Sequence, residues 1–208
     1  MRVAPEGWPF IAIAWAIVGI LFWFGLWWAA IPMMLVAGWV VAFFRDPERT
    51  GRRGDDVVIA PADGVVVGII AIDEPKVIGG KARRVSIFMN VFNVHVNRYP
   101  SSGTITFRHY QKGAFGHAGR EKAALENEHS DVGITSPRGQ VLTRQIAGSI
   151  ARRIVTDAGV GAVVKQGDRL GLIRFGSRVD VYLPENARIL VKEGDVTQAG
   201  VTPIAEWK

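Results

Sequence analysis

In Gly176-Ser177, within LGLIRFGSRVDVYLP of this 208-residue chain, a serine follows a glycine inside a strand-like run, where its hydroxyl could reach its own backbone. Lacking a Cβ, Gly176 can take turn geometries closed to other residues, which lets Ser177 Oγ approach the Gly176 carbonyl. An N→O acyl shift there makes an ester. β-Elimination then cuts the chain and leaves dehydroalanine at 177, and tautomerisation with loss of ammonia gives an N-terminal pyruvoyl group. Most Gly-Ser pairs are plain turns, so other residues have to carry this reading. His95, in FMNVFNVHVNR, is either a half-buried structural histidine or the general base that takes the serine proton, since imidazole titrates near neutrality. Asp63, in Pro61-Ala62-Asp63-Gly64, is either a turn residue bonding its own backbone or a carboxylate that orients a histidine or moves a proton. Ser177, His95 and Asp63 make a triad whose members need not be close in sequence. His109, His117 and His129 are further titratable candidates. Neither their spacing nor their ligand type suggests a metal site, and no metal is expected. The chain has no cysteine, which excludes disulfides, thiolate nucleophiles and cysteine-ligated metals.

Two kinds of element must position these residues. Residues 7 to 44 carry no charge, and six of the seven tryptophans of the chain are concentrated there. The stretch is too long for one ordinary span of about 20 residues and short for two perpendicular spans. Gly25 and the region before Pro32 offer a break, with Pro32 tolerable near a helix start. The expectation is two short helices forming a hairpin that spans or deeply enters one leaflet, with residues 1–44 as a membrane-associated segment and 45–208 as a catalytic domain. Arg45, Arg49, Arg52 and Arg53 follow at once and place that edge on the cytoplasmic side of a cell membrane. The formal charge of +6 lies wholly beyond residue 44. An anionic bilayer is the simplest partner for it. No Lys/Arg run or finger spacing supports nucleic acid.

After Asp56 the pattern turns to short Val- and Ile-rich runs punctuated by glycine. Residues 57–70, 83–99, 103–110, 151–155, 171–175 and 178–184 read as strands of a mainly β fold, a compact sandwich or partly closed barrel. One short helix is expected over Gly119–Glu128. Val164-Lys-Gln-Gly-Asp168 recurs as Val191-Lys-Glu-Gly-Asp195, and each Gly-Asp predicts a turn before another apolar segment. The echo resembles the turns of lipoyl- and biotin-carrier sandwiches, without a carrier lysine. Arg83, Arg84, Lys112 and Arg120 are either solvated surface charges or contacts to a lipid phosphate. Phe115, flanked by glycines, is either a packing residue or one that dips into the membrane interface.

These residues also carry a family resemblance. FFRDPER (43–49), APADGVV (60–66), FMNVFNVHVNR (88–98), Gly103–Ile105, KAALENE (122–128) and GLIRFGSRVDVYLP (171–184) resemble the short, pyruvoyl-dependent class of phosphatidylserine decarboxylases, in compatible order over nearly the whole chain. The resemblance implies a zymogen that cleaves itself into residues 1–176 (β chain) and 177–208 (α chain), which stay together as one fold. It implies a covalent pyruvate derived from Ser177 as the only cofactor. The reaction it implies is decarboxylation of phosphatidylserine to phosphatidylethanolamine and CO2 through a Schiff base, a lyase step of phospholipid biosynthesis. It also gives His95 and Asp63 roles in self-processing, and His95 a further role as proton donor near the substrate. The chain departs from the family at two places. Longer members carry a second histidine where this chain has Arg98, a further candidate for substrate contact. The arginine that usually follows Asn-Glu is His129 here. Homo-oligomerisation is left open. The rival readings are a membrane-anchored serine hydrolase, which would lack the usual G-x-S-x-G elbow, a non-catalytic β-sandwich adaptor, and a soluble pyruvoyl decarboxylase of a free amino acid.

Overall fold

A computed structural model describes residues 2–114, 116, 126–148, 153–174 and 177–208. The chain divides into two compact units, residues 1–48 and 49–208.

The first unit is the expected helical hairpin. Helix α1 covers Trp8–Trp23 and α2 covers Trp27–Phe43. The reversal falls at Gly25, whose φ of 70° is the left-handed geometry that suits glycine. Leu26 N–H donates to Leu21 O and Gly25 N–H to Phe22 O, which closes the last turn of α1 and satisfies carbonyls the helix leaves open. The other end of the hairpin is pinned by strand β1, Arg2–Val3, paired antiparallel with β2, Arg45–Asp46. Between β1 and α1 lies a 3₁₀ turn, Pro5–Gly7. A Cβ at Gly7 would lie 2.5 Å from Phe44 Cβ, so only glycine fits that crossing. Ala14, Val18 and Ala37 pack between the helices. Most of the remaining surface is apolar and outward, with Trp23 87% and Trp28 78% exposed. The stretch Pro5–Trp23 is long and apolar enough to cross a membrane, while Trp27–Phe43 is shorter. Helices hydrophobic on all sides are suited to lipid, and this pair forms the membrane-associating part of the chain.

The second unit is built of strands. β3 (Val57–Ile59), β4 (Gly64–Glu74), β5 (Gly80–Met89), β6 (Val96–Arg98) and β7 (Gly103–Gln111) are followed by β8 (His129–Thr135), β9 (Gln140–Ala147) and β10 (Ile154–Thr156). Then come β11 (Val163–Val164), β12 (Arg169–Ile173), β13 (Ser177–Pro184), β14 (Ala187–Ile189), β15 (Val196–Thr197) and β16 (Pro203–Trp207). An antiparallel sheet of eight strands in the order β11-β7-β8-β9-β13-β5-β4-β15 curls into a half-barrel. Register shifts at Val66/Gly68 and Ile105/Phe107 add local twist. Two three-stranded sheets, β14-β16-β3 and β10-β12-β6, complete it. The main core joins Val85, Ile87, Val179, Val181 and Leu183 of the large sheet to Val58, Ile204, Ala205 and Trp207.

The repeated Gly-Asp segments form matching turns. Gly167 and Gly194 have φ of 86° and 90°. Asp168 N–H donates to Lys165 O, and Asp195 N–H donates to Lys192 O. Gly167 N–H reaches Tyr99 O, and Gly194 N–H reaches Val66 O.

The structure corrects the expected strands in three places, the first being the run 57–70, which is two strands, Val57–Ile59 and Gly64–Glu74, on either side of the Asp63 turn. The run 83–99 is not continuous. Asn93 Oδ1 accepts from Asn90 N–H and Asn90 Oδ1 from Phe92 N–H, so the asparagine side chains take backbone donors that a ladder would need and impose a turn. His95 therefore stands in the loop just before β6, not within a strand. Strands β8 and β9, both near the centre of the large sheet, were not expected at all. The helix expected over Gly119–Glu128 lies outside the described residues except at its end, where Asn127 bridges in parallel to Ala114.

Candidate active site

Ser177 is the first residue of β13, the strand between β9 and β5 in the large sheet. It pairs with Met89 on one side and Ala147 on the other. The chain reaches it from β12, which belongs to a different sheet. Phe175 and Gly176 lie outside the described residues. Ser177 has no exposed surface, and its Oγ has no hydrogen-bond partner among the described residues. An unpaired buried hydroxyl costs roughly 1–3 kcal/mol and is uncommon without a chemical reason.

His95 is fully buried. Its carbonyl accepts from Ile173 N–H at 3.4 Å, which lays the His95 loop beside the last residue of the strand that leads to Ser177. Its Nδ1 is 3.0 Å from Asn93 O. A carbonyl can only accept, so this contact places the proton on Nδ1 and leaves Nε2 with the lone pair of a base. The same side of the site holds a buried polar chain. Gln145 Nε2 donates to Asn97 Oδ1 at 2.8 Å, and Thr156 Oγ1 donates to Gln145 Oε1 at 2.9 Å. Asn97 Nδ2 in turn lies 3.6 Å from the sulfur of Met89, the strand partner of Ser177. These amides went unnoticed in the sequence. FNVHVNR carries Asn97 in plain view, but nothing there shows that it meets Gln145, 48 residues away.

Asp63 sits in the turn between β3 and β4, as its Pro-Ala-Asp-Gly setting suggested. Its Oδ2 accepts from Arg49 Nη2 at 2.7 Å and its Oδ1 from Ala199 N–H at 2.7 Å. Its described partners are thus an arginine and a backbone amide, which hold it in place. Arg98 N–H donates to Pro61 O and joins β6 to the Asp63 turn.

The candidate headgroup cations fall into three groups. Arg83 and Lys112 are exposed. Arg84 is only 3% exposed, with Nε 3.7 Å from Asp180, and Arg98 donates Nη1 to Gly167 O at 3.0 Å. Arg120 lies outside the described residues, as do Phe115 and His117.

The sheet face opposite Ser177 is also polar, although it is buried. His109, Asp131, Arg144, Asp180 and Ser86 pair in one row across five strands. Arg144 donates Nε and Nη2 to the two oxygens of Asp131 at 2.7 and 2.8 Å. Arg178 grips Asp180 in the same way at 2.6 and 2.8 Å. Buried charges persist only when paired like this.

A family model described as phosphatidylserine decarboxylase matches residues 36–205. Relatives named phosphatidylserine decarboxylase proenzyme include one from Magnetococcus marinus, 46% identical over 99% of this chain and 95% of the relative. Another, from Nitrosomonas eutropha, is 44% identical over 99% of this chain and 95% of its own length. A third, from Symbiobacterium thermophilum, is 43% identical over 97% and 94%.

Proposed function

The chain belongs to the phosphatidylserine decarboxylase family, and from that membership we propose how its own residues make and use the catalytic group. The enzyme converts phosphatidylserine to phosphatidylethanolamine and CO2, with a pyruvoyl group as cofactor. The observation that carries the residue assignment is the Oγ of Ser177 at the head of the central strand, buried and without a hydrogen-bond partner among the described residues.

In our reading His95 Nε2 takes the proton from Ser177 Oγ, which bonds to the Gly176 carbonyl carbon. The bond from that carbon to Ser177 N then breaks, and the freed nitrogen takes up a proton. Removal of the Ser177 Cα proton expels the Gly176 carboxylate from Cβ and cuts the chain between 176 and 177. The resulting dehydroalanine tautomerises to an imine, and water replaces its nitrogen, which leaves as ammonia. A buried setting supports this sequence because bulk water is kept from the ester, whose hydrolysis would cut the chain but leave an ordinary N-terminal serine instead of the pyruvoyl group. Asp63, held by Arg49 and Ala199, is a positioning group for the site in this scheme.

When formed, the pyruvoyl ketone supplies an electrophile for the substrate amine and an electron sink for the carbon that loses CO2. His95 then returns a proton to that carbon. Arg83 and Lys112, being exposed, are the cations we assign to the lipid phosphate. The helical hairpin keeps the enzyme at the bilayer that holds its diacyl substrate. Arg45, Arg49, Arg52 and Arg53 support a cytoplasmic placement of the second unit.

Intact mass spectrometry of wild-type chain and Ser177→Ala tests the assignment. Wild type is expected as two fragments, the smaller blocked at its start, and the variant as one inactive chain. A wild-type chain that converts phosphatidylserine while continuous through residue 177 would refute it.

A further inference from the structure

His109, His129 and Asp131 stand on the sheet face opposite Ser177, and the reaction above uses none of them. We infer that these three residues form a binding site for a divalent transition cation of the zinc class. His129 and Asp131 lie two residues apart on β8, so both side chains project from one face. His109 is the residue paired directly with Asp131 on the neighbouring strand β7. Two ligands at i and i+2 on one strand, with a third directly across, converge on one point above the sheet. One ligand atom from each residue lies within 4.8 Å of the other two. A tetrahedral ion with bonds of about 2.1 Å needs ligands about 3.4 Å apart. Closing that gap would fall mainly to rotation of the half-exposed His109 side chain, since Arg144 and Asn127 hold the other two.

The surrounding groups fit a metal centre. His129 Nδ1 is 2.9 Å from Asn127 O, so it carries the proton and turns Nε2 outward as a ligand. His109 Nδ1 is a buried atom with no hydrogen-bond partner among the described residues, 3.9 Å from Asp131 Oδ2. Arg144 occupies both Asp131 oxygens, but an ionised carboxylate has further lone pairs, and the arginine fixes its orientation. The positive charge of Arg144 lowers the attraction for any cation, so the imidazoles must supply much of the affinity. Two nitrogen donors against one oxygen favour zinc-like ions over magnesium or calcium. The His109 side chain is 37% exposed, so the cluster reaches the protein surface at that residue. The site lies apart from the pyruvoyl chemistry and would tie β7 to β8.

The test uses full-length chain without a polyhistidine tag, in detergent micelles. Calorimetric titration with Zn2+ is expected to saturate at one ion per chain, and Mg2+ to give no such isotherm. Co2+ is expected to develop the intense visible bands of a four-coordinate site. His109→Gln alters a half-exposed side chain and is expected to keep its fold by circular dichroism, while Zn2+ affinity falls about tenfold or more. His129→Gln provides a second reading at the buried ligand. Absence of a stoichiometric Zn2+ isotherm in wild type would overturn the inference, as would undiminished affinity in folded His109→Gln. None of these readouts depends on decarboxylation, so the outcome stands apart from the fate of the proposed function.

Discussion

Cutting the backbone between residues 176 and 177 should not release the smaller fragment, and the structure says how firmly it is held. Residues 177–208 include all of β13, which pairs with β5 from Ser177 to Pro184 and with β9 from Ser177 to Tyr182. Val179, Val181, Leu183 and Ile204 of that fragment have no exposed surface. At roughly 1.5–3 kcal/mol each, these four contribute roughly 6–12 kcal/mol. Tyr182 and Trp207, 4% and 9% exposed, add to it. Leaving would also expose the facing surfaces of Val85, Ile87 and Val141 on the larger fragment. Each ladder hydrogen bond adds about 0.5–1.5 kcal/mol. Holding two chains together costs about 4–15 kcal/mol in lost freedom. With the ladder bonds included, a surplus of about 8 kcal/mol would correspond to a micromolar dissociation constant and about 12 kcal/mol to a nanomolar one. Size-exclusion chromatography and native mass spectrometry of the processed enzyme should therefore find both fragments in one particle at micromolar concentration and below. Urea should separate them only as the β structure unfolds. Elution of residues 177–208 as a free species in plain buffer would refute the reasoning about β13.

Three further outcomes follow from single sites. His95→Gln keeps much of the side-chain shape but not the base, and self-cleavage in a pulse-chase gel assay should slow by about 10²-fold or more; wild-type kinetics would remove His95 from the chemistry. Burial, reinforced by Asp180, raises the Tyr182 hydroxyl to about 12. The unfolded chain then loses that proton near pH 10 and the folded chain only near 12, so stability at Tyr182 falls as pH rises through that window, by about 3 kcal/mol in full. Urea midpoints at neutral and high pH should show the decline, and Tyr182→Phe should lessen it. A Cβ at Gly64 would sit 2.1 Å from Phe88 O, whereas one at Gly68 on the same strand would meet nothing within 4 Å. Gly64→Ala should thus destabilise by about 1–3 kcal/mol or more, because a backbone atom cannot step aside, and Gly68→Ala should be near neutral. Equal urea midpoints for the two variants would contradict the close approach of β4 and β5.

The parts of this protein legible in its sequence are those that local physics decides. An uncharged run broken by Gly25 can only be an apolar hairpin, since glycine alone reverses a helix cheaply at positive φ. The repeated Gly-Asp turns are equally local. Strands β8 and β9 escaped notice because HSDVGIT and QVLTRQIA do not alternate apolar and polar residues. Their buried faces carry Asp131 and Arg144, which satisfy one another across strands. A pattern reader takes such residues as solvent-facing, and only pairing makes their burial tolerable. His95 is legible by type but its run reads as a strand, because the asparagine-braced turn before it depends on which backbone groups the side chains choose.

By itself the sequence determined the chemistry on offer: a serine behind a glycine, a histidine with a base's titration range, and an apolar segment that belongs in lipid. Only the tertiary structure decided which groups meet. It set Ser177 between Met89 and Ala147, held Asp63 against Arg49, and brought His109 beside His129 and Asp131. The physical reason is that a side chain's type and local conformation depend on neighbours along the chain. Its partners depend on strand register, which is settled by hydrogen bonding and packing between segments tens of residues apart.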